Sequence, residues 1–249
     1  MWTLPTWQGA EPCAGRLMRR AFLCMAVSLA PFLGIQVAAQ TISPVIVEFT
    51  GTAAGKFQLT NNGAAPMAIV LEPKSFSIGL DGKGVYRPLD PTIHVDLSTM
   101  SFRLEPRQTY YVFYKAHADT LPAWFTVWAV FSPIEKAEGV KVRLMLPHTI
   151  YLYQKGRVAQ DAIHVQHAEY DPRADKVVCD LENVSPDLVR VQEVSVTGGK
   201  ASVQGGGFPL LPGSPRRLEI AWKQSSPPRE ITLHFPHFVV KEPLSIKDQ

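Results

Sequence analysis

The chain has 249 residues, which is enough for two domains of ordinary size or for one large β domain. Hydrophobic residues make up 46% of it and charged residues 19%, a balance that excludes an intrinsically disordered chain. Three arginines and one glutamate lie in the first 39 residues, so the remainder holds 22 basic and 21 acidic residues, a net charge of +1. This charge gives no support for nucleic-acid binding, because a basic patch is the usual footprint of such proteins.

The N-terminal segment has the pattern of an export signal. A short cationic stretch, 18–20, precedes an apolar run, 21–35, and the small residues 37–39 supply a cleavage site before Gln40. We therefore predict a signal peptide over 1–39 and a mature chain that begins at Gln40.

Two alternatives concern this segment. Residues 1–17 have no place in a signal peptide, which favours translation from Met18. The second alternative is that the segment is an uncleaved membrane anchor. The apolar run is short against the roughly 20 residues that a spanning helix needs, and it contains Pro31. We expect export without stable membrane insertion after cleavage.

Beyond Gln40 the dominant signals are short alternating segments separated by turn residues. The predicted strands before the glycine-containing junction at 156–161 are 43–49, 56–60, 66–71, 100–104, 109–115, 124–131 and 140–155. Those after it are 163–170, 176–181, 188–196, 216–222 and 230–240, with turns between them that include 205–215. Short strands without an amphipathic helix are typical of β-sandwiches. We predict an all-β fold of two immunoglobulin-like sandwich domains in series, 40–156 and 157–249.

The longest strand signal is 140–155, which reads VKVRLMLPHTIYLYQK. Its regularly alternating aliphatic residues are Val140, Val142, Leu144 and Leu146. Because proline cannot donate a ladder hydrogen bond, Pro147 predicts an edge or a break in this part of the strand. An edge strand offers unpaired main-chain groups to a strand from another chain. On periodicity alone, packing of the aliphatic row into the core of its own domain is the favoured interpretation.

The sequence contains no pattern that predicts catalysis. Histidines occur three residues apart at 164/167 and 234/237, and residues with that spacing lie on opposite faces of a regular strand. Neither pair is therefore predicted to chelate a metal ion. Cys179 is the single cysteine beyond residue 39, and we predict that it is a buried small hydrophobe. We accordingly predict no enzyme activity, catalytic residue, metal or cofactor.

Four segments, in this order, carry a resemblance to a known family. They are 56–62 (KFQLTNN), 124–133 (WFTVWAVFSP), 140–155, and 178–191 (VCDLENVSPDLVRV). With these segments the chain resembles the periplasmic pilus-assembly chaperones of the PapD-like family over nearly the whole mature sequence.

The resemblance implies a function. Such chaperones consist of two immunoglobulin-like domains and lend the last strand of the first domain to a pilus subunit that lacks one strand. On this basis the partners are secreted, β-rich, pilin-like subunits in the periplasm, with an outer-membrane usher as a second candidate partner. The side chains that would fill the subunit's groove are Val140, Val142, Leu144 and Leu146. This donor-strand complementation requires no cofactor.

The sequence departs from the family at the site that anchors the client's C-terminal carboxylate. The family uses two basic residues there, and the aligned positions hold Pro44 and Tyr151. A phenol donates one hydrogen bond but brings no charge. Lys155 or Arg157 is a candidate replacement for the missing charge. The resemblance is therefore that of a divergent member, whose client need not be a typical pilin.

Two other functions are compatible with the residues. The first is a structural envelope or surface protein of two domains that self-associates through the same edge. The second is an exported enzyme, which would require three of the following histidines to converge: His94, His117, His148, His164 and His167.

Overall fold

A computed structural model describes residues 39–134 and 142–247, which belong to one compact unit, Ala39–Gln249. The described residues form eighteen β-strands in four sheets and one short 3₁₀-helix, Gln160–Ala162. The predicted signal peptide lies outside the described residues except for Ala39, and Val140 lies outside them as well. No helix among the described residues is long and apolar enough to cross a membrane.

The first ten strands form two facing sheets, which we call the first sandwich. These strands are β1 (Thr41–Ser43), β2 (Ile46–Thr50), β3 (Ala53–Thr60), β4 (Met67–Ile78), β5 (Gly84–Pro88), β6 (Ile93–Leu97), β7 (Ser101–Leu104), β8 (Thr109–Ala118), β9 (Ala123–Pro133) and β10 (Leu144–Tyr153). One sheet has the order β1-β3-β8-β6. The other has the order β2-β10-β9-β4-β5, with β7 also paired to β4.

Alternation of apolar and polar side chains places the core of the first sandwich between its two sheets. Strand β8 buries every second residue, whereas β9 is buried on both faces, as expected for a central strand. The largest fully buried side chains of this core include Phe57, Leu71, Phe125, Phe131 and Ile150.

The remaining eight strands form the second sandwich. They are β11 (Ile163–Asp171), β12 (Lys176–Asn183), β13 (Val189–Gly198), β14 (Ala201–Leu210), β15 (Arg216–Ala221), β16 (Glu230–His234), β17 (Val239–Pro243) and β18 (Ser245–Ile246). The two sheets have the orders β15-β12-β11-β18 and β14-β13-β16-β17. Their core contains Trp222 and, as predicted, Cys179, and burial raises the pKa of the Cys179 thiol to about 12.

The predicted all-β fold of two sandwiches is confirmed. None of the described sheets mixes strands from before and after the junction at 156–161, while the domain bounds 40–156 and 157–249 themselves stay a prediction. Two predicted strands are each divided: 43–49 is broken around Pro44, and 230–240 becomes β16 and β17. Strands β5, β6, β14 and β18 were not predicted.

Strand β14 corrects the prediction of a turn over 205–215, because the strand continues through three glycines to Leu210. Gly207 permits a close approach of the two backbones. A Cβ at this position would collide with the main-chain carbonyl oxygens of Val191 and Gln192 on β13. Gly207 suggests a turn in the sequence, but in the structure it is required because β13 and β14 approach each other closely.

We expect Gly207→Ala to destabilise the protein by about 1–3 kcal/mol, because the added methyl group must displace backbone atoms. Gly206→Ala is the matched control, since a Cβ there meets nothing within 4 Å, and it should change stability by less than about 0.5 kcal/mol. Urea denaturation of both variants measures the difference. Equal midpoints for Gly207→Ala and wild type would contradict this explanation of β14.

Candidate functional site: the open edge of strand β10 and the adjoining cleft

The neighbours of strand β10 change along its length. Strand β9 pairs with it in antiparallel orientation from Leu144 to Leu152. Strand β2 pairs with it in parallel orientation, but only from Thr149 to Tyr153. Residues 144–148 therefore have a paired neighbour on one flank only, within the part of the chain that the structure describes. We call residues 144–148 the open segment.

The open segment exists because the N-terminal strand changes sheets. Strand β1 pairs with β3 in the opposite sheet and ends at Ser43. The chain then crosses between the sheets, and the Thr149 N–H donates to the carbonyl oxygen of Val45 at 2.7 Å. Pairing with β10 begins only at this hydrogen bond. Residues 41–43 pair with the other sheet and therefore do not pair with the open segment.

The position of Pro147 fits this edge. Main-chain groups of alternate residues in a strand point to alternate flanks. Since the Thr149 N–H points towards β2, the main-chain groups of Met145 and Pro147 point to the same flank, which is open beside them. Pro147 thus lacks an N–H where no strand of the described chain needs one. The open flank offers the N–H of Met145 and the carbonyl groups of Met145 and Pro147.

The aliphatic side chains of this region have different environments. Leu144 and Leu146 are half-buried and pack against the core of the first sandwich. Val142 precedes the strand and is 67% exposed. The predicted strand 140–155 is thus shorter in the structure, Leu144–Tyr153, because Val142 and Arg143 have no strand pairing. The two leucines partly cover the core of their own domain, but they are not sealed within it.

His148 marks the inner end of the open segment. Its ring is fully buried, stacks on Phe57 with ring centroids 4.5 Å apart, and donates from Nδ1 to the carbonyl oxygen of Pro44 at 2.7 Å. Its Nε2 has no hydrogen-bond partner, and burial lowers the pKa of the imidazole below its ordinary value. A neutral His148 therefore ties β10 to the point where the first strand changes sheets.

Tyr151 is largely buried. It is only 4% exposed and lies in a small apolar cluster with Phe76, Leu188 and Leu211. Burial raises the pKa of the phenol to about 12. The place where the resemblance puts the carboxylate anchor is therefore filled by apolar side chains from both sandwiches. The sequence had offered Tyr151 as a hydrogen-bond donor at this place.

A cleft of about 420 Å³ adjoins the far end of β2 and β10. We define it by its charged and phenolic side chains, which are Glu48, Tyr153, Lys155, Arg157 and Arg190. Three of these carry positive charge and one carries negative charge, so the cleft has a net positive character. Lys155 and Arg157 are exposed, as the sequence had suggested for a charged replacement.

An ion pair and a buried phenol organise the wall of this cleft. Arg190 Nη1 lies 2.8 Å from Glu48 Oε1 and links β13 of the second sandwich to β2 of the first. The hydroxyl of Tyr153 is buried and has no hydrogen-bond partner. Burial and the nearby Glu48 carboxylate raise the pKa of Tyr153, so the phenol is neutral. Sequence reasoning missed these three residues, since the contact between Glu48 and Arg190 depends on how the sandwiches pack against each other.

The histidines do not converge in the described structure. His94 and His117 stack on the first sandwich, His148 is buried in its core, and His164 and His167 belong to β11 of the second sandwich. No three His, Cys, Asp or Glu side chains of the described chain are grouped as a metal site. The convergence that an exported enzyme would require is not seen.

The geometry assumed for His164 and His167 was wrong. The register of β11 against β12 shifts between Val165 and His167, so Gln166 forms a bulge. His164 lies opposite Glu182, and His167 lies opposite Asp180. The extra residue therefore brings both histidines to the same face of the sheet. The alternation of the sequence does not reveal a bulge, so the spacing of the two histidines predicted opposite faces.

No protein-family model and no curated protein matches the sequence. Solved structures do match the fold. CfaA, a class 5 fimbriae chaperone, is 7% identical with a TM-score of 0.50, and the match covers 83% of this chain and 99% of that one. The YadV chaperone is 12% identical with a TM-score of 0.50, and the match covers 82% and 99% of the two chains. A chain of the Salmonella enterica SafA pilin–SafB chaperone complex is 14% identical with a TM-score of 0.51, covering 84% and 98%.

These matches establish the fold. The protein has the two-sandwich fold of fimbrial chaperones, and the predicted resemblance to the PapD-like chaperones is confirmed at this level. The low identities fit the expectation of a divergent sequence.

Proposed function

We propose that this protein is a periplasmic, chaperone-like protein without enzyme activity. It binds secreted, β-rich subunits of the pilin type and donates the edge of β10 to them. The observation that carries this proposal is the open segment, which is paired by β9 on one flank and by nothing described on the other. The fold supports it, since the matched chaperones include one whose structure contains a pilin. An outer-membrane usher stays a predicted second partner.

The open segment accommodates one added strand. Five residues of strand extend over about 17 Å, and the added strand would lie in line with β2 on the same flank of β10. It would bond to the N–H of Met145 and to the carbonyl groups of Met145 and Pro147. Each such bond contributes about 0.5–1.5 kcal/mol net. Strand addition of this kind derives its affinity from the main chain and its specificity from alternate side chains.

The apolar contribution is smaller than the sequence alone suggests. Burying a leucine completely contributes about 1.5–3 kcal/mol, but Leu144 and Leu146 are already half-buried in their own domain. A client would complete the burial of both leucines, and each would contribute about half of that burial free energy to binding. Val142 is largely exposed and would contribute more. Val140, which lies outside the described residues, belongs to the proposed partner-binding row on the sequence pattern alone.

The cleft has a secondary role in this proposal. Tyr151 is buried, so the proposed client contact at this end is Lys155, supported by the net positive charge of the cleft. Lys155 lies about 20 Å along the chain beyond the open segment, and β2 pairs with the part of β10 that separates the two. A client would therefore meet Lys155 as a solvent-exposed ion pair rather than as a buried clamp.

We expect Met145→Pro to weaken client binding by about ten-fold or more, because proline removes the only N–H that the open flank offers and leaves a carbonyl group of the added strand without a donor. The fold should be retained, since Met145 does not donate to β9. Co-expression with a β-rich, pilin-type subunit that lacks one strand, followed by co-purification, measures binding. Met145→Ala is the control and should retain the client. Client binding by Met145→Pro at the wild-type level would rule out strand addition at this edge.

Leu144→Asp tests the side-chain contribution in the same assay. A charge at this half-buried position should prevent the client from closing over the open segment while the isolated protein stays folded. Circular dichroism and thermal melting establish whether it is folded. Unfolding of the variant would show that Leu144 belongs to the core of its own domain, contrary to the proposal.

The alternative function, a self-associating envelope protein, is distinguished by the same variants. Size-exclusion chromatography of the protein without a client should show a monomer. A tight dimer that Met145→Pro disrupts would support self-association through this edge and contradict the chaperone proposal.

We expect Lys155→Gln to weaken client binding by only about two- to five-fold at low salt, because exposed ion pairs contribute about 0.2–1 kcal/mol. The effect should disappear at high salt. Lys223→Gln is the control, since Lys223 is exposed on the second sandwich and does not line the cleft. Titration of the client by fluorescence anisotropy measures the affinities. A loss of a hundred-fold or more would show that Lys155 is a buried anchor, contrary to this assignment.

A further inference from the structure

Two histidines face each other on the outer surface of the first sandwich, on the sheet that does not contain β10. His94 of β6 and His117 of β8 are directly opposed in the antiparallel register. Their rings are stacked, with centroids 4.7 Å apart and an angle of 24° between the planes. Both side chains are exposed, so a ligand has free access to them.

A carboxylate orients one of these rings. Asp119 Oδ1 lies 3.1 Å from His94 Nε2. Asp119 is two residues after His117, directly beyond the end of β8. The main-chain N–H of Asp119 donates to the carbonyl oxygen of Thr92 at 2.9 Å, which fixes the ends of β6 and β8 beside each other. The three side chains are therefore carried by one rigid piece of sheet. A histidine that donates one ring N–H to a carboxylate has its other ring nitrogen available, which is the usual arrangement of a metal-binding histidine.

We propose that His94 and His117 bind a divalent transition-metal ion of the zinc or copper type. Imidazole nitrogen is a preferred ligand of these ions, at about 2.0–2.1 Å for zinc. Because the two residues are directly opposed and exposed, a change in their side-chain torsions would bring Nδ1 of His94, the nitrogen that Asp119 leaves free, and one nitrogen of His117 to the same ion. Asp119 acts as a positioning residue for His94, and water molecules complete the coordination.

The site has two protein ligands and one orienting carboxylate. It is independent of the open segment, because β6 and β8 belong to the opposite sheet of the first sandwich.

The second sandwich supplies a matched control. His164 and His167 also share a sheet face, but Gln166 lies between them and donates to Glu182 at 2.7 Å. These two rings are not stacked on each other. A variant with both changed, His164→Asn/His167→Asn, removes two exposed histidines without touching the proposed site.

Calorimetric titration of the mature chain without a polyhistidine tag, with zinc chloride up to about 1 mM, tests the proposal. We expect one zinc ion per chain in wild type and in His164→Asn/His167→Asn. His94→Asn and His117→Asn should abolish binding, and Asp119→Ala should weaken it by about ten-fold or more. Thermal melting without metal checks that each variant is folded. NMR signals of the His94 and His117 rings should shift on addition of zinc.

Either of two results would overturn the proposal. One is the absence of binding to wild type over this concentration range, which would leave the histidine pair a stacking contact only. The other is undiminished zinc binding by His94→Asn/His117→Asn, which would place the ion elsewhere.

Discussion

The structure depends on the point at which the first strand leaves one sheet of the first sandwich for the other. Three residues, Thr41–Ser43, pair with β3, and the next strand joins β10 only from Thr149 onward. A single chain segment cannot hydrogen-bond to both sheets at once. Since the strand is divided in this way, five residues of β10 have a paired neighbour on one side only among residues 39–134 and 142–247. The open segment is thus a consequence of topology.

The surrounding residues stabilise this arrangement. His148 is buried, bonds to the Pro44 carbonyl and stacks on Phe57, so the inner end of the open segment is fixed. At the outer end, Leu144 and Leu146 cover the core only partly. This combination of a fixed end and an uncovered flank is what strand addition requires: the edge is held in an extended conformation before a partner arrives, so little ordering cost falls on binding.

The second sandwich determines which charged groups lie near this edge. Leu188 and Leu211 close over Tyr151, and Arg190 forms an ion pair with Glu48. The carboxylate anchor implied by the resemblance is therefore replaced by an apolar cluster, and positive charge lies beyond it in the cleft. A client bound here would depend more on main-chain pairing, and less on its terminal charge, than the resemblance implies.

Much of the fold was predictable because alternation is a local signal. Segments such as 56–60 and 124–131 show it plainly, and Pro147, which predicted an edge or a break, lies where β2 does not pair with β10. Features that arise from pairing were not predictable. The bulge at Gln166 and the close approach at Gly207 are set by a neighbouring strand.

The candidate site likewise has one part that the sequence predicted and another that it did not. The edge of β10 was visible in the sequence, whereas the half-burial of Leu144 and the contact of Arg190 with Glu48 were not. Residues 48 and 190 lie in different sandwiches, and nothing local in either stretch of sequence indicates the other.

Hydrogen exchange at the Met145 amide tests the central claim most directly. In the free protein this amide should exchange rapidly, while that of Leu146, which faces β9, is protected. Addition of a pilin-type client should slow exchange at Met145 and leave Leu146 unchanged. A Met145 amide that is already protected in the free monomer, or that stays unprotected in a client complex, would contradict the account.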